Sequence, residues 1–395
     1  MSSPDYSTYK TAFKGREMPF AYLDLDLLDQ NIKEISQRAG DNLVRIASKS
    51  VRCRWVLDYL LKKEHKFQGL MCFTGHEAVW LSQQGFDDLL IAYPILHPEE
   101  IQQIVVEVAK GKKIYLMIDS PQHIEHLNAL GEKYGTQLLI CLDLDVSFNF
   151  LGLHFGTLRS PMNSVERAME IYQALEKAPH LALRALMGYE GQIAGSIDRI
   201  PGQGAKAMVV RWLKRRYIPR IAKRREEVVK ALEAAGAKLE IVNGGGTGSL
   251  ESTGAEKVVT ELTAGSGFYS PHLFDRYDHF KHAPAAGYAI EVVRKPKSGV
   301  YTAFGGGYVA SGALGKEKLP IPHLPKGLKL DPNEWAGEVQ TPLHYKGELE
   351  LGDPVFMRHS KAGELCEHFQ SLLLLRGGKV VDEAPTYRGE GKCFL

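Results

Sequence analysis

At 395 residues, 44% of them hydrophobic and 24% charged, the chain has the length of two domains and the composition of a globular protein, which excludes a disordered chain and a disulfide miniprotein. No apolar run approaches the roughly 18–20 residues of a membrane span, the first 20 residues hold no apolar signal region, and Lys+Arg 49 against Asp+Glu 47 is too balanced for a nucleic-acid binder. The five cysteines (Cys53, Cys72, Cys141, Cys366 and Cys393) are odd in number, widely spaced and without a CxxC pair, so a reducing, cytoplasmic setting is expected.

From about residue 20 to 277, short β-prone runs alternate with longer amphipathic stretches. Strands are predicted over 21–25, 43–47, 69–72, 88–92, 113–118, 137–144, 183–187, 238–242 and 258–262. Helices are predicted over 26–39, 54–63, 77–84, 98–110, 121–134, 164–177 and 205–236. Such alternation argues βαβ units and a parallel sheet. Roughly eight repeats in about 250 residues is the size of a closed (β/α)8 TIM barrel, with an open doubly wound sheet as the alternative. Beyond residue 277 the runs 288–293, 300–304, 348–351, 354–357, 370–375 and 379–381 are short and separated by Gly and Pro, so an antiparallel β domain is expected. Residues 314–342, rich in Pro, Lys and Gly, read as a long surface excursion. The expected division is a barrel over 20–277, with 1–19 and 278–395 forming a β domain that closes the active site.

Two kinds of strand end carry chemistry. Lys49 follows the β run 43–47; a lysine buried in a barrel mouth has a lowered pKa and can form a Schiff base, the plainer alternative being a lysine that reaches solvent. Late in the barrel, Asn243-Gly-Gly-Gly-Thr247-Gly248 and Thr263-Ala-Gly265-Ser266-Gly267 each follow a predicted strand. Consecutive glycines let backbone N–H groups approach an anion, and two such loops near the close of a barrel match the usual phosphate position of that architecture. Neither is a Walker A nor a GxGxxG fingerprint. Between residues 211 and 225 lie eight Lys/Arg in fifteen residues, interleaved with Trp212 and Tyr217. This stretch reads as a solvated helix face rather than an RNA or membrane surface.

An early lysine and a late phosphate cradle suggest pyridoxal phosphate, and the chain resembles the fold-type III enzymes that use it. It is similar to the alanine racemase barrel and, within it, to the D-threonine aldolase/D-serine dehydratase branch. The resemblance rests on Pro19-Phe-Ala-Tyr-Leu-Asp24-Leu-Asp26 with Asn31, on Arg45 with Lys49, and on Thr74-Gly-His-Glu77. It continues through Ile91-Ala-Tyr93-Pro94, Gly188-Tyr189-Glu190-Gly191, Gly244-Gly245-Gly246-Thr247, Gly265-Ser266-Gly267 and Asp275-Arg-Tyr277. More narrowly it resembles a subgroup termed amino acid deaminase/aldolase, through Arg159-Ser-Pro, Gln192-Ile-Ala-Gly, Gly337-Glu-Val-Gln-Thr-Pro and Thr386-Tyr-Arg-Gly-Glu-Gly.

The resemblance implies that Lys49 is the Schiff-base lysine and general base, that Gly245, Gly246, Thr247, Gly265 and Ser266 hold the phosphate, and that Tyr189 packs beside the ring. It also implies a PLP-dependent lyase, a dehydratase/deaminase or aldolase of a small β-hydroxy D-amino acid. A homodimer is implied, with a small amino-acid substrate as its other partner and neither nucleic acid nor membrane. The departures matter as well. Ala47 and Val51 stand where the aldolases carry histidines. Phe150 stands where an arginine is expected near the pyridine nitrogen, with Arg159 the nearest substitute. The branch's metal-binding P-x-H-x-C corresponds to Ala362-Gly-Glu364-Leu-Cys366; if that stretch is a strand, Glu364 and Cys366 share one face and could hold zinc or manganese, flanked by His359 and His368. Two alternatives stand beside the lyase: a racemase or epimerase, for which Tyr301 and Tyr308 are available as the second base, and a non-catalytic PLP-binding protein.

Overall fold

The computed structural model describes residues 5–150, 152–200, 202–312, 315–361 and 363–395. Residues 1–4 of the expected β-domain segment, Leu314 at the start of the expected excursion and Ala362 of the expected metal stretch lie outside the described residues.

Eight parallel strands close into a barrel: Leu43–Ala47, Phe67–Cys72, Leu89–Ile91, Ile114–Ile118, Leu138–Asp143, Leu181–Gly188, Ile241–Gly244 and Glu261–Ala264. The last pairs with the first, Thr263 opposite Arg45. Helices coat the outside, and their ends follow local chemistry. Pro121–Tyr134 opens on Ser120, whose hydroxyl accepts the His123 N–H, and ends on Gly135 in the left-handed conformation. Gly75–Gln83 opens on a capping box: Thr74 accepts the Glu77 N–H at 3.1 Å, and the Glu77 carboxylate accepts the Phe73 N–H at 2.8 Å. Glu77 therefore supports the barrel wall, and it also accepts the Tyr387 hydroxyl at 2.8 Å.

Inside the barrel, Leu90, Tyr115, Met117, Cys141 and Met187 form an apolar layer. At the strand starts the filling is ionic. The fully buried Arg45 donates to Glu261 (2.6 and 3.0 Å) and Asp88 (2.9 Å), while Asn243 donates to the same Glu261 (2.8 Å). These carboxylates and the amide leave no charge uncompensated.

The remaining strands build a nine-stranded, mostly antiparallel sheet. Here the structure corrects the expected boundary at residue 20. The strand Phe20–Asp24 belongs to this sheet, antiparallel to Ala286–Lys297 and parallel to Ser371–Arg376. It is buried on both faces, Tyr22 among Tyr9, Phe13 and Phe356 on one side and Leu23 on the other. In sequence such a strand is a continuous apolar run, the same signature as a parallel barrel strand. The helix Tyr6–Ala12 docks on that aromatic face, its Tyr9 hydroxyl donating to Asp24 at 2.9 Å. Within 314–342, the expected excursion, the strands Ile321–Leu324 and Lys329–Leu330 join the sheet with Gln340–His344, whereas 348–351 is a turn. Among the described residues no helix is long and apolar enough to cross a membrane.

The basic helix also departs from expectation. Gly204–Ala234 does expose Arg215, Arg216 and Arg220, but Lys214, Tyr217 and Arg225 are buried. Arg225 donates to the Gly188 carbonyl (2.8 Å) and Glu190 (3.0 Å) and pairs with Glu256. Helical periodicity turned two of the eight cations inward, onto carboxylates that other elements supply.

Candidate active site

The C-terminal ends of the barrel strands open into a cavity of about 250 Å³. Lys49, Arg159, Tyr189, Gly245, Gly246, Thr247, Gly265 and Ser266 all line it. Lys49 lies in the short turn Ser48–Ser50 immediately after its strand, with Ser48 and Ser50 buried and Lys49 exposed to the cavity. The expected burial of its amine is thus not found; the turn buries the residues on either side instead. Its Nζ donates to the Tyr93 hydroxyl at 3.2 Å. Burial works to raise the Tyr93 phenol, but the Lys49 and Arg159 cations and the Lys49 hydrogen bond outweigh it, so its pKa lies below the ordinary phenol value.

Arg159 lies over two rings, 5.6 Å from the centre of Tyr93 and 5.2 Å from that of Tyr189. Phe150 does not reach the cavity: it packs edge-on against Trp212, in a hairpin of Phe148–Phe150 with Leu153–Phe155. Near Arg159, Asp143 is buried at the end of its strand. Burial pushes its pKa up to about 7; Arg159 opposes the rise, and Asp119 and Asp145 add to it.

The glycine loops are shaped for close approach. Gly245 has φ +83°, a region that side chains rarely adopt. A Cβ on Gly246 would stand 2.8 Å from the Ala194 Cβ and 3.3 Å from the Tyr189 ring, and one on Gly265 would stand 2.8 Å from Ser50 and 2.9 Å from Ala47. Thr247 Oγ1 accepts the Gly267 N–H at 3.1 Å and Ser266 shares a hydrogen bond with Ser50, so both loops are tied to each other and to the Lys49 turn. From beneath, Glu190 accepts the Gly245 N–H (3.3 Å) and the Ser249 hydroxyl (2.8 Å), and Ser249 accepts the Gly246 N–H (3.1 Å). This Arg225–Glu190 clamp was not foreseen; the Glu190 in the Gly188–Gly191 motif was its only signal. A cradle of glycines, two hydroxyls and a lysine at one cavity floor fits the phosphate and aldehyde ends of pyridoxal phosphate.

The expected metal stretch is corrected. Leu365–His368 is one helical turn starting at Glu364, not a strand, so residues two apart point about 200° away from each other. Gly363, at φ +89°, turns the chain against Lys49, where a Cβ would meet the Lys49 carbonyl. Cys366 is buried, its thiol donating to the Val51 carbonyl at 3.3 Å, and burial raises its pKa far above the usual thiol value. Glu364 accepts the Ser311 N–H at 2.8 Å. His368 stacks on Tyr308, 4.4 Å between centres. Among the described residues no three His, Cys, Asp or Glu side chains are grouped to hold a metal ion, and the donors at this stretch do not fit one.

Neither Tyr301 nor Tyr308 lines the cavity; the Tyr301 hydroxyl donates to the Gly347 carbonyl at 3.0 Å. Tyr93 was quoted only as part of a motif, and Lys318 and Lys361, which also line the cavity, carried no sequence signal.

Residues 23–271 match the family described as "Alanine racemase, N-terminal domain". Over 251 residues, 63% of this chain, the sequence is 27% identical to the 3-hydroxy-D-aspartate aldolase of Paracoccus denitrificans (strain Pd 1222), of whose own length the match spans 59%. Among solved structures, D-threonine aldolase from Filomicrobium marinum superposes with a TM-score of 0.80 at 18% identity, covering 96% of each chain. D-threo-3-hydroxyaspartate dehydratase from Delftia sp. HT23 gives 0.73 at 18% identity, covering 97% of this chain and 99% of the other. At these identities the two structures show the shared fold.

Proposed function

The chain belongs to the alanine racemase N-terminal-domain family, of fold-type III pyridoxal-phosphate architecture, and from that premise we propose that it is a pyridoxal-phosphate-dependent lyase of a small β-hydroxy D-amino acid. The observation that carries this reading is the meeting, in one cavity, of the Lys49 amine with two glycine-rich strand ends. The aldolase and dehydratase relatives support the substrate class.

Bound pyridoxal phosphate supplies an electron sink for breaking a bond at the substrate's α-carbon. In this reading Thr247, Ser266 and the backbone of Gly245, Gly246 and Gly265 hold its phosphate, Tyr189 packs beside its ring, and Lys49 takes its aldehyde. Arg159, a permanent cation over the Tyr93 and Tyr189 rings, keeps a neighbouring ring nitrogen unprotonated. Once the substrate's amine has replaced it, Lys49 takes the α-proton on Nζ, and the Tyr93 hydroxyl, 3.2 Å away, exchanges that proton with it. α-Proton loss followed by departure of the β-hydroxyl gives, after hydrolysis, a keto acid and ammonia. Deprotonation of the β-hydroxyl instead breaks Cα–Cβ and gives an aldehyde and glycine. No step is assigned to a divalent metal. A homodimer and a cytoplasmic setting belong to the same reading, the latter supported by five cysteines without a disulfide.

The test is to incubate the holoenzyme with D-serine, D-threonine and D-threo-3-hydroxyaspartate and to quantify keto acid, aldehyde and α-proton exchange from deuterated water, with and without EDTA. Keto acid or aldehyde is expected. Exchange without either product would make the protein a racemase or epimerase; cofactor binding with neither would make it a non-catalytic PLP-binding protein.

A further inference from the structure

Four cations line the cavity, Lys49, Arg159, Lys318 and Lys361, and no Asp or Glu does. The proposed function uses Lys49 and Arg159 and gives the phosphate neutral donors, which leaves two ammonium groups at the mouth without a task. Resting on that reading, we propose that Lys318 and Lys361 receive a carboxylate on the substrate's side chain, so that the preferred substrate is a β-hydroxy amino dicarboxylate rather than a hydroxyalkyl amino acid.

Both lysines are fixed relative to the barrel. Lys318 closes the turn Lys316–Lys318, and its carbonyl accepts the Ala310 N–H at 2.9 Å. Lys361 follows Ser360, whose hydroxyl donates to the Glu317 carbonyl at 2.6 Å, tying the two lysine-bearing segments together. His272, in the turn His272–Arg276 after the last barrel strand, holds both segments: its ring nitrogen bonds the Leu319 carbonyl (2.8 Å) and its N–H donates to the His359 carbonyl (3.1 Å). Gly363 then lays the chain directly on Lys49. A cationic pair is thus built in beside the reacting amine rather than left at the end of a mobile loop.

The pair also lacks an internal counter-charge. Among the described residues neither lysine has a carboxylate partner; the Lys361 Nζ donates only to the Ser311 hydroxyl, at 3.2 Å. Glu364, the nearest acid by its effect on Lys361, is turned to the Ser311 N–H. Burial lowers the Lys361 pKa, Glu364 opposes this, and Lys318 and Lys49 lower it further. Such a cluster repels itself, and an incoming carboxylate relieves that repulsion while forming charge-assisted hydrogen bonds. A methyl group or hydrogen in the same position would leave the two charges unanswered, which is how a polar site rejects an apolar analogue.

The test uses the holoenzyme, Lys361→Gln and Lys318→Gln in two measurements. Succinate and butyrate, which carry no amine and cannot react, are titrated calorimetrically. Succinate should bind about ten- to a hundredfold tighter, as expected for one or two charge-assisted contacts, and each variant should lose most of that preference. In turnover, the ratio of kcat/KM for threo-3-hydroxyaspartate to that for threonine should fall about tenfold or more in each variant. Equal losses on both substrates would assign the lysines to the α-carboxylate, and weaker cofactor binding with the ratio unchanged would assign them to the phosphate. Either result overturns the proposal, as does equal binding of succinate and butyrate. If no amino acid is turned over yet the succinate preference is present and lysine-dependent, the lyase reading fails and this inference stands.

Discussion

Replacing Glu190 with Gln separates charge from packing beneath the glycine loop. The buried Glu190 accepts hydrogen bonds from Arg225 (3.0 Å), Ser249 (2.8 Å), the Gly245 N–H (3.3 Å) and Thr253. Gln keeps the volume but presents an NH2 where an acceptor is required, and it removes one of the two carboxylates that neutralise Arg225. Glu256 and the Gly188 carbonyl still hold Arg225, so the loss falls near the low end of the roughly 3–5 kcal/mol for breaking a buried ion pair. With an unfolding entropy of about 2.1 cal/mol/K per residue, about 3 kcal/mol over 395 residues lowers the unfolding midpoint by about 4 °C. The assay pairs thermal unfolding with cofactor dissociation constants for wild type, Glu190→Gln and Glu256→Gln. Glu256→Gln should lose similar stability, since it strips the other carboxylate, but it leaves the Gly245 and Ser249 bonds in place. Cofactor affinity should therefore fall about tenfold, the worth of one charge-assisted contact, in Glu190→Gln and distinctly less in Glu256→Gln. Equal weakening in the two variants, or an unchanged midpoint in both, would refute the clamp.

Asp143 sets a pH dependence. Its folded pKa of about 7 lies above the usual 3.8, so between those values the folded state holds a proton that the unfolded state has released, and this group makes stability fall as pH rises. Asp143→Asn should match wild type near pH 4 and gain on it up to pH 7, by about 4 kcal/mol at 1.36 kcal/mol per pKa unit; an offset independent of pH in urea unfolding would contradict this. Gly265→Ala should cost about 1–3 kcal/mol of overpacking against Ser50 and Ala47 and weaken cofactor binding, and unchanged affinity in a spectral titration would count against the cradle. Cys366→Ala should lower the unfolding midpoint while leaving lyase activity near wild type; joint loss of activity and of a protein-bound divalent metal, measured by elemental analysis, would restore the metal role.

The barrel strands were legible because each short apolar run is followed by a long amphipathic helix with its own stop signals, such as Ser120 and Gly135 around Pro121–Tyr134. The strand Phe20–Asp24 was misplaced for a physical reason: burial on both faces erases the alternation that marks a sheet strand. Lys49 and the glycine loops were legible because catalysis at strand ends and phosphate binding demand specific residue types at fixed places. What remained hidden is long-range. Arg225 looked like one more surface cation, since Glu190 and Glu256 lie 35 and 31 residues away. Glu364 and Cys366 look like metal ligands only if the chain there is extended, and a left-handed glycine with one helical turn makes it otherwise. Lys318 and Lys361 belong to the segments that cap the barrel, and no local pattern connects them to Lys49.

The account rests most directly on Lys49. Treating the purified protein with pyridoxal phosphate and then borohydride fixes the cofactor covalently to whichever amine holds its aldehyde, and peptide mass mapping reads the position. The account predicts a single modified peptide carrying the adduct on Lys49, with Lys49→Ala losing both the adduct and the visible absorption of the bound cofactor. An adduct on Lys318 or Lys361 in the wild-type protein, or retention of the absorption in Lys49→Ala, would contradict it.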